Sequence, residues 1–127
     1  MVADSETVIC DEIFYTTKIE GSHTTRKRTQ EIHDGSKLDY ADYTSEKMVQ
    51  NAFQATKYLN ILGNKVNKNN IWKIWNILTE DVCDNEEIKG ELYRTGEVQI
   101  NNVYGLMPEQ LEDEMDNWFA YYNKIFA

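Results

Sequence analysis

The sequence predicts an all-α fold, a helical bundle of about four to five helices, carrying one short β-hairpin. Three observations predict it. Several stretches repeat apolar residues at the three- and four-residue spacing of a helix face. One proline and six glycines leave few breaks in 127 residues. One stretch, Glu97 to Ile100, alternates polar with apolar residues at a period of two.

The first helix is expected from about Ser5 to Glu20. Ile9, Ile13 and Thr16 lie four and three apart on one side, and Glu20 follows four later on the same side. Gly21 supplies a stop, because glycine accepts the left-handed geometry of a helix end. Residues 22 to 45 are polar and weakly patterned. "HTTRKRTQEIHDG" has room for a short helix ending at Gly35, and "SKLDYADYTS" reads as a loop. Ser45 is the expected cap of a second strong helix, with Glu46 and Lys47 opening it. Val49, Ala52, Phe53, Thr56, Leu59 and Leu62 trace its stripe, and Gly63-Asn64 ends it.

A third helix is expected to start from a cap at Asn69 or Asn70. Its face is Ile71, Ile74, Trp75, Leu78 and Val82, widened by Trp72. The last helix opens at Pro108, which suits a first helical position. Leu111, Met115, Trp118, Phe119 and Tyr122 form its stripe. Glu109, Glu112, Asp113 and Glu114 crowd its early turns, where negative charge suits the helix dipole and faces solvent. Between these helices lies "GELYRTGEVQINN". Thr95-Gly96 is the expected turn of a hairpin spanning roughly Glu91 to Asn101. A lone two-stranded hairpin is marginally stable, so it leans on the helices or offers its edge to something.

Composition narrows the function. Hydrophobic residues make up 41% and aromatics 12%, enough for a core and against disorder. Thirteen Lys and Arg stand against 22 Asp and Glu, a net charge of -9. That balance argues against nucleic acid as a partner. The local basic run is Arg26-Lys27-Arg28, set in acidic sequence. Cys10 and Cys83 are far apart, form no C-x-x-C, and read as small buried hydrophobes of a reducing cytosol. "MVADSETVICDE" reads as neither signal peptide nor membrane span, so a cytoplasmic location and no membrane partner are expected. The apolar ending "KIFA" reads as a cut, or as a surface covered by something else.

Glu20 is the residue that breaks a local rule. A carboxylate in a helix's last turn opposes the dipole by about 0.3–1 kcal/mol. Burying it unpaired costs several times more. Two readings follow. Either the helix end frays and Glu20 reaches water, or an arginine from elsewhere neutralises it with a two-pronged bond. The hairpin likewise is either an ordinary connection or an edge that accepts an extended peptide. Trp72, Trp75 and Trp118 have core spacing. His23 and His33 lack metal-ligand spacing and read as surface residues. The chain has no H-E-x-x-H, no Gly-rich phosphate loop and no G-x-S-x-G.

"TTKIEG" resembles the inhibitory motif of the Fic family, Ser/Thr-x-x-x-Glu-Gly/Asn, with Thr16, Glu20 and Gly21 at its three positions. "IEGSHTT" is similar to the sequence that follows the family's inhibitory helix. "GELYRTGEVQI" resembles its flap, and "LMPEQLEDEMDNWFAYYN" the helix after the flap. The resemblance runs in order along nearly the whole chain and implies a partial Fic fold. Residues 1–35 would be the inhibitory-helix region and 36–127 the N-terminal part of the core. The family transfers AMP from ATP to Ser, Thr or Tyr hydroxyls, a nucleotidyltransferase activity called AMPylation.

The resemblance implies that Glu20 clamps an arginine and blocks ATP γ-phosphate placement. It also implies that Thr95, Gly96, Glu97, Val98, Gln99 and Ile100 dock the target. One departure limits it. The catalytic motif H-x-F-x-[D/E]-G-N-G-R-x-x-R is absent from residues 1–127 and would be expected beyond Ala127. The chain alone is therefore expected to carry no catalytic residue, no metal ligand and no ATP turnover. ATP and Mg²⁺ belong to the intact family member. The implied partners are the rest of a Fic catalytic core, or a separate Fic chain bound in the manner of an antitoxin, and a target protein at the flap.

Overall fold

A computed structural model describes residues 5–63, 66–83 and 92–126. Five α-helices and one antiparallel hairpin are present among them, in the order α1 (Ser5–Ile19), α2 (Arg26–His33), a 3-10 turn (Tyr40–Asp42), α3 (Tyr43–Leu62), α4 (Lys68–Leu78), β1 (Gln99–Ile100), β2 (Val103–Tyr104) and α5 (Pro108–Phe126). This is the expected class, mostly helical with a short hairpin. Asn64 of the expected helix stop, Glu91 at the start of the expected hairpin, and the Gly90-Glu91 opening of the flap-like stretch lie outside the described residues. The chain forms two compact units, Met1–Ile61 with Ile77–Val82, and Leu62–Asn76 with Cys83–Ala127.

In the first unit the core is built from three helices. Cys10 and Ile13 of α1, Ile32 of α2, and Val49 and Phe53 of α3 are buried together, with Ile9, Leu38 and Ala52 packed against them. α1 and α3 present residues three and four apart to this cluster and α2 contributes Ile32, so the apolar stripes of α1 and α3 choose which face turns inward. On α1 the buried line is Cys10, Ile13 and Thr17. This differs from the expected line through Ile9, Ile13, Thr16 and Glu20. Ile13 is common to both lines, and the inward direction is shifted by about 60°, less than the roughly 100° of one residue. Thr17 is tolerated inside because its hydroxyl donates to the Ile13 carbonyl at 2.7 Å.

The expected loop before α3 is partly helical. Asp39 caps the 3-10 turn, its carboxylate accepting from the Ala41 N–H at 3.0 Å. That turn runs directly into α3, which begins at Tyr43, two residues before the expected cap Ser45. Ser45 instead uses its hydroxyl to accept from the His23 N–H at 3.0 Å. Glu46, expected in the opening turn of the helix, lies there and is buried. Asn51 closes the unit: its side-chain amide donates to the carbonyls of Leu78 (3.2 Å), the last residue of α4, and of Glu80 (2.8 Å) just after it. His33, expected at the surface, is half-buried with its ring 5.1 Å from that of Phe53.

In the second unit Phe119 is the buried apolar side chain of α5 among the described residues. Leu111, Met115 and Tyr122 are half-buried around the same face. Two expected core tryptophans are more exposed than their spacing implies, Trp118 at 45% and Trp72 at 39%. Trp118 stacks on Tyr122 at 5.3 Å, so the ring packs along its own helix. The cap of α4 is Asn67, whose side-chain oxygen accepts from the Asn70 N–H at 2.9 Å. Asn69 and Asn70, the expected caps, lie inside the first turn. Lys68 pairs with Glu112 of α5, and Asn123 donates to the Val66 carbonyl at 3.2 Å. No helix among the described residues is long and apolar enough to cross a membrane.

Candidate functional site

The C-terminus of α1 is closed by a Schellman motif. Gly21 sits at φ +102°. Its N–H donates to the Lys18 carbonyl at 3.1 Å, and the Ser22 N–H donates to the Thr17 carbonyl at 2.9 Å. That double bond pattern needs a residue free to take positive φ at the position Gly21 occupies. It makes Glu20 the C-cap, one residue past the last helical one. Its N–H still donates to the Thr16 carbonyl at 3.3 Å. Ser22 is buried, and its hydroxyl lies 3.1 Å from the Ser45 carbonyl of α3. The turn is therefore pinned on both sides.

Side chains of Thr16 and Glu20 leave this rigid turn into solvent. Ile19 beside them is 83% exposed. Among the described residues the Glu20 carboxylate makes no ion pair. Of the two readings, the structure matches the one in which Glu20 reaches water, at a helix end that is capped and not frayed, and the expectation of a carboxylate on the inward stripe is corrected. The shift of the inward face of α1 from the Thr16 side to the Thr17 side puts Thr17 inside and leaves Glu20 out. The backbone around Glu20 is fixed and its charge is presented, at the negative end of the helix.

A cavity of about 530 Å³ lies beside this turn, walled by Phe14, Lys18, Gly21, His23 and Arg26. Arg26 is already engaged there by the Tyr15 hydroxyl and, at 3.5 Å, by Asp11. A second cavity, of about 480 Å³, is lined by Arg28, Lys37, Asp39, Asp42 and Glu46 among others. Oxygen atoms of Asp39, Asp42 and Glu46 lie within 4.8 Å of one another, a spacing a cation accepts. Both Glu46 oxygens are, however, already bonded to Arg28, at 2.8 and 2.9 Å. Oε1 also accepts from the Asp39 N–H at 2.8 Å. These bonds, the Arg28 one foremost, hold the Glu46 carboxyl below the usual glutamate range against the opposing effect of burial.

This arginine–glutamate pair is what periodicity missed. A signal was present: Glu46 stands three residues before Val49 and seven before Phe53, on the stripe that packs inward. The two-pronged bond expected of Glu20 is made in this chain by Glu46.

The hairpin is shorter than expected and lies further along the chain. Gln99 pairs with Tyr104 and Ile100 with Val103. The turn is Asn101-Asn102, with Asn101 at φ +56°, a conformation asparagine tolerates better than most residues. Thr95-Gly96, the expected turn, is a bend before the first strand. Val98, Ile100, Val103 and Tyr104 are 43%, 72%, 71% and 60% exposed. Of the expected docking residues, Glu97 to Ile100 lie along one side of the hairpin, while Thr95 and Gly96 lead into it. No protein-family model matches the chain, and no curated protein matches it.

Proposed function

We propose that this chain is the N-terminal regulatory and target-docking portion of a Fic-type protein adenylyltransferase. The observation that carries the reading is the Thr16–Glu20–Gly21 turn: a carboxylate held out at a capped, pinned helix end, with no cation of its own among the described residues. A negative group so placed gains most from a planar guanidinium brought to it by another segment. The hairpin, with large apolar side chains exposed, supports the second half of the reading.

In this reading the reaction is AMP transfer from ATP to a protein hydroxyl. Residues 1–127 hold neither the family's acidic metal ligand nor its Asn-Gly phosphate turn, so their part is to regulate and to position. Glu20 engages the last arginine of the catalytic motif and denies the γ-phosphate its place. The hairpin holds the target segment extended.

The deciding experiment joins this chain to the His-containing motif, encoded downstream or supplied by a separate Fic-type chain. Glu20→Gly then raises AMP incorporation from labelled ATP. Unchanged incorporation in the variant overturns the inhibitory assignment. A separate catalytic chain that co-purifies with residues 1–127 and is silenced by them identifies the antitoxin-like arrangement in place of the single-chain one.

A further inference from the structure

The two edges of the hairpin differ, and the difference says what the open one takes. The Gly105 N–H donates to the Val98 carbonyl at 2.8 Å, extending the ladder one step beyond the two paired positions. In an antiparallel ladder, residues alternate between bonding across the pair and pointing their backbone groups outward. Glu97 and Gln99 therefore point outward on the β1 side, and Tyr104 and Leu106 on the β2 side. The Leu106 carbonyl is already taken by the Arg94 guanidinium, which also donates to the Gly96 carbonyl at 2.8 Å. A Cβ built on Gly105 would stand 3.2 Å from that same guanidinium and 3.9 Å from the Val98 Cβ, so Arg94 lies over the Gly105 end of the Val98 face while it occupies the Leu106 carbonyl of the β2 edge. On the β1 side, among the described residues, the backbone of Glu97 and Gln99 has no partner outside the ladder.

The two faces differ as well. Val98, Ile100 and Val103 share one face, all exposed. Glu97, Gln99, Tyr104 and the exposed Leu106 share the other, and Glu97 makes no ion pair among the described residues. We propose that the β1 edge pairs with an extended target segment that alternates apolar with basic residues. Its apolar side chains cover the Val98, Ile100 and Val103 face, and its Lys or Arg side chains run beside Glu97. A cation is selected because like charges opposed across a ladder repel, while opposite charges attract, and the chain carries a net charge of -9. This proposal rests on the reading that the hairpin is the target-docking element, and it adds which edge and which sequence class.

The test uses the whole chain, without ATP, and the seven-residue peptide Lys-Val-Lys-Val-Lys-Val-Lys at millimolar concentration. Amide hydrogen exchange is followed by NMR. Exchange at Glu97 and Gln99 is expected to slow about fivefold or more, with Tyr104 unchanged. N-methylation of the peptide at the lysines alone, or at the valines alone, abolishes the effect for one set and spares the other, since one parity of residues faces the edge. The set that abolishes it reports strand direction. Glu97→Lys weakens the effect about tenfold and transfers the preference to the Glu-Val peptide of the same length. No slowing, equal loss with both methylated sets, or protection at Tyr104 in place of Gln99 overturns the proposal. If Glu20→Gly raises AMP incorporation and the peptide fails, this edge assignment alone falls. If the peptide pairs and Glu20→Gly changes nothing, the edge stands and the regulatory reading falls.

Discussion

Arg28 of α2 and Glu46 of α3 close a two-pronged ion pair, Nε to Oε2 at 2.9 Å and Nη2 to Oε1 at 2.8 Å. Glu46 is 4% exposed. The same guanidinium donates to Glu31 at 3.0 Å and to the Lys37 carbonyl. One side chain thus ties α2, the following loop and α3 together.

The pair makes stability depend on acid. The folded Glu46 carboxyl titrates below its ordinary value, chiefly through the Arg28 bonds. Its contribution is therefore complete above the unfolded glutamate value of about 4.3 and is lost as pH falls through the lower folded value. Glu46→Gln is expected to cost about 2 kcal/mol at pH 7, because the charge-assisted bonds weaken and Arg28 loses its counter-charge. The difference between variant and parent should shrink between pH 5 and 3, by about the lost share. Urea unfolding across that range measures it. A constant difference would mean that the carboxylate charge contributes nothing.

Phe53 holds the apolar centre of the first unit, 7% exposed and packed with Cys10, Ile13, Ile32 and Val49. Phe53→Ala is expected to destabilise by about 3–5 kcal/mol, the transfer cost plus that of the cavity left behind. It also removes the ring on which His33 rests. Denaturant midpoint and slope together check this; a shift under 1 kcal/mol would place the core elsewhere.

Asn101 takes φ +56° at the hairpin turn. Asn101→Gly should preserve or tighten the hairpin, and Asn101→Val should open it, since a β-branched residue resists that conformation. Exchange of the Gly105 amide, which bonds to the Val98 carbonyl, is the readout. Equal exchange in both variants would contradict the turn.

Glu20 is exposed and makes no ion pair among the described residues. Glu20→Gln should change the stability of the chain by less than about 0.5 kcal/mol. Gly21→Val, at φ +102°, should destabilise the turn by about 1–3 kcal/mol. Thermal melts of the two variants separate a residue kept for its charge from one kept for its backbone. A large loss in Glu20→Gln would show that the carboxylate is structural.

Legibility in the sequence followed the range of the interaction. Helix class, the Pro108 start, the Gly21 stop and the solvated acids of α5 are local, decided within a turn or two of chain, and the structure places them as the spacing predicts. Boundaries set by competing local signals went astray. Ser45 looks like a cap, but Asp39 and the 3-10 turn start the helix earlier. Thr95-Gly96 looks like a turn, but the left-handed Asn101 makes it.

The sequence by itself determined a helical chain with a charged, glycine-closed end to its first helix and one stretch fit for a strand. Those features arise from backbone preference and the period of apolar residues, which neighbours along the chain suffice to set. Only the tertiary structure decided that α1 turns Thr17 inward and Glu20 outward, and that the buried carboxylate is Glu46. Which face is buried and which charge finds a partner depend on residues 18 or more positions away, as Arg28 is from Glu46. The desolvation that makes such a pairing matter exists only once the helices have packed.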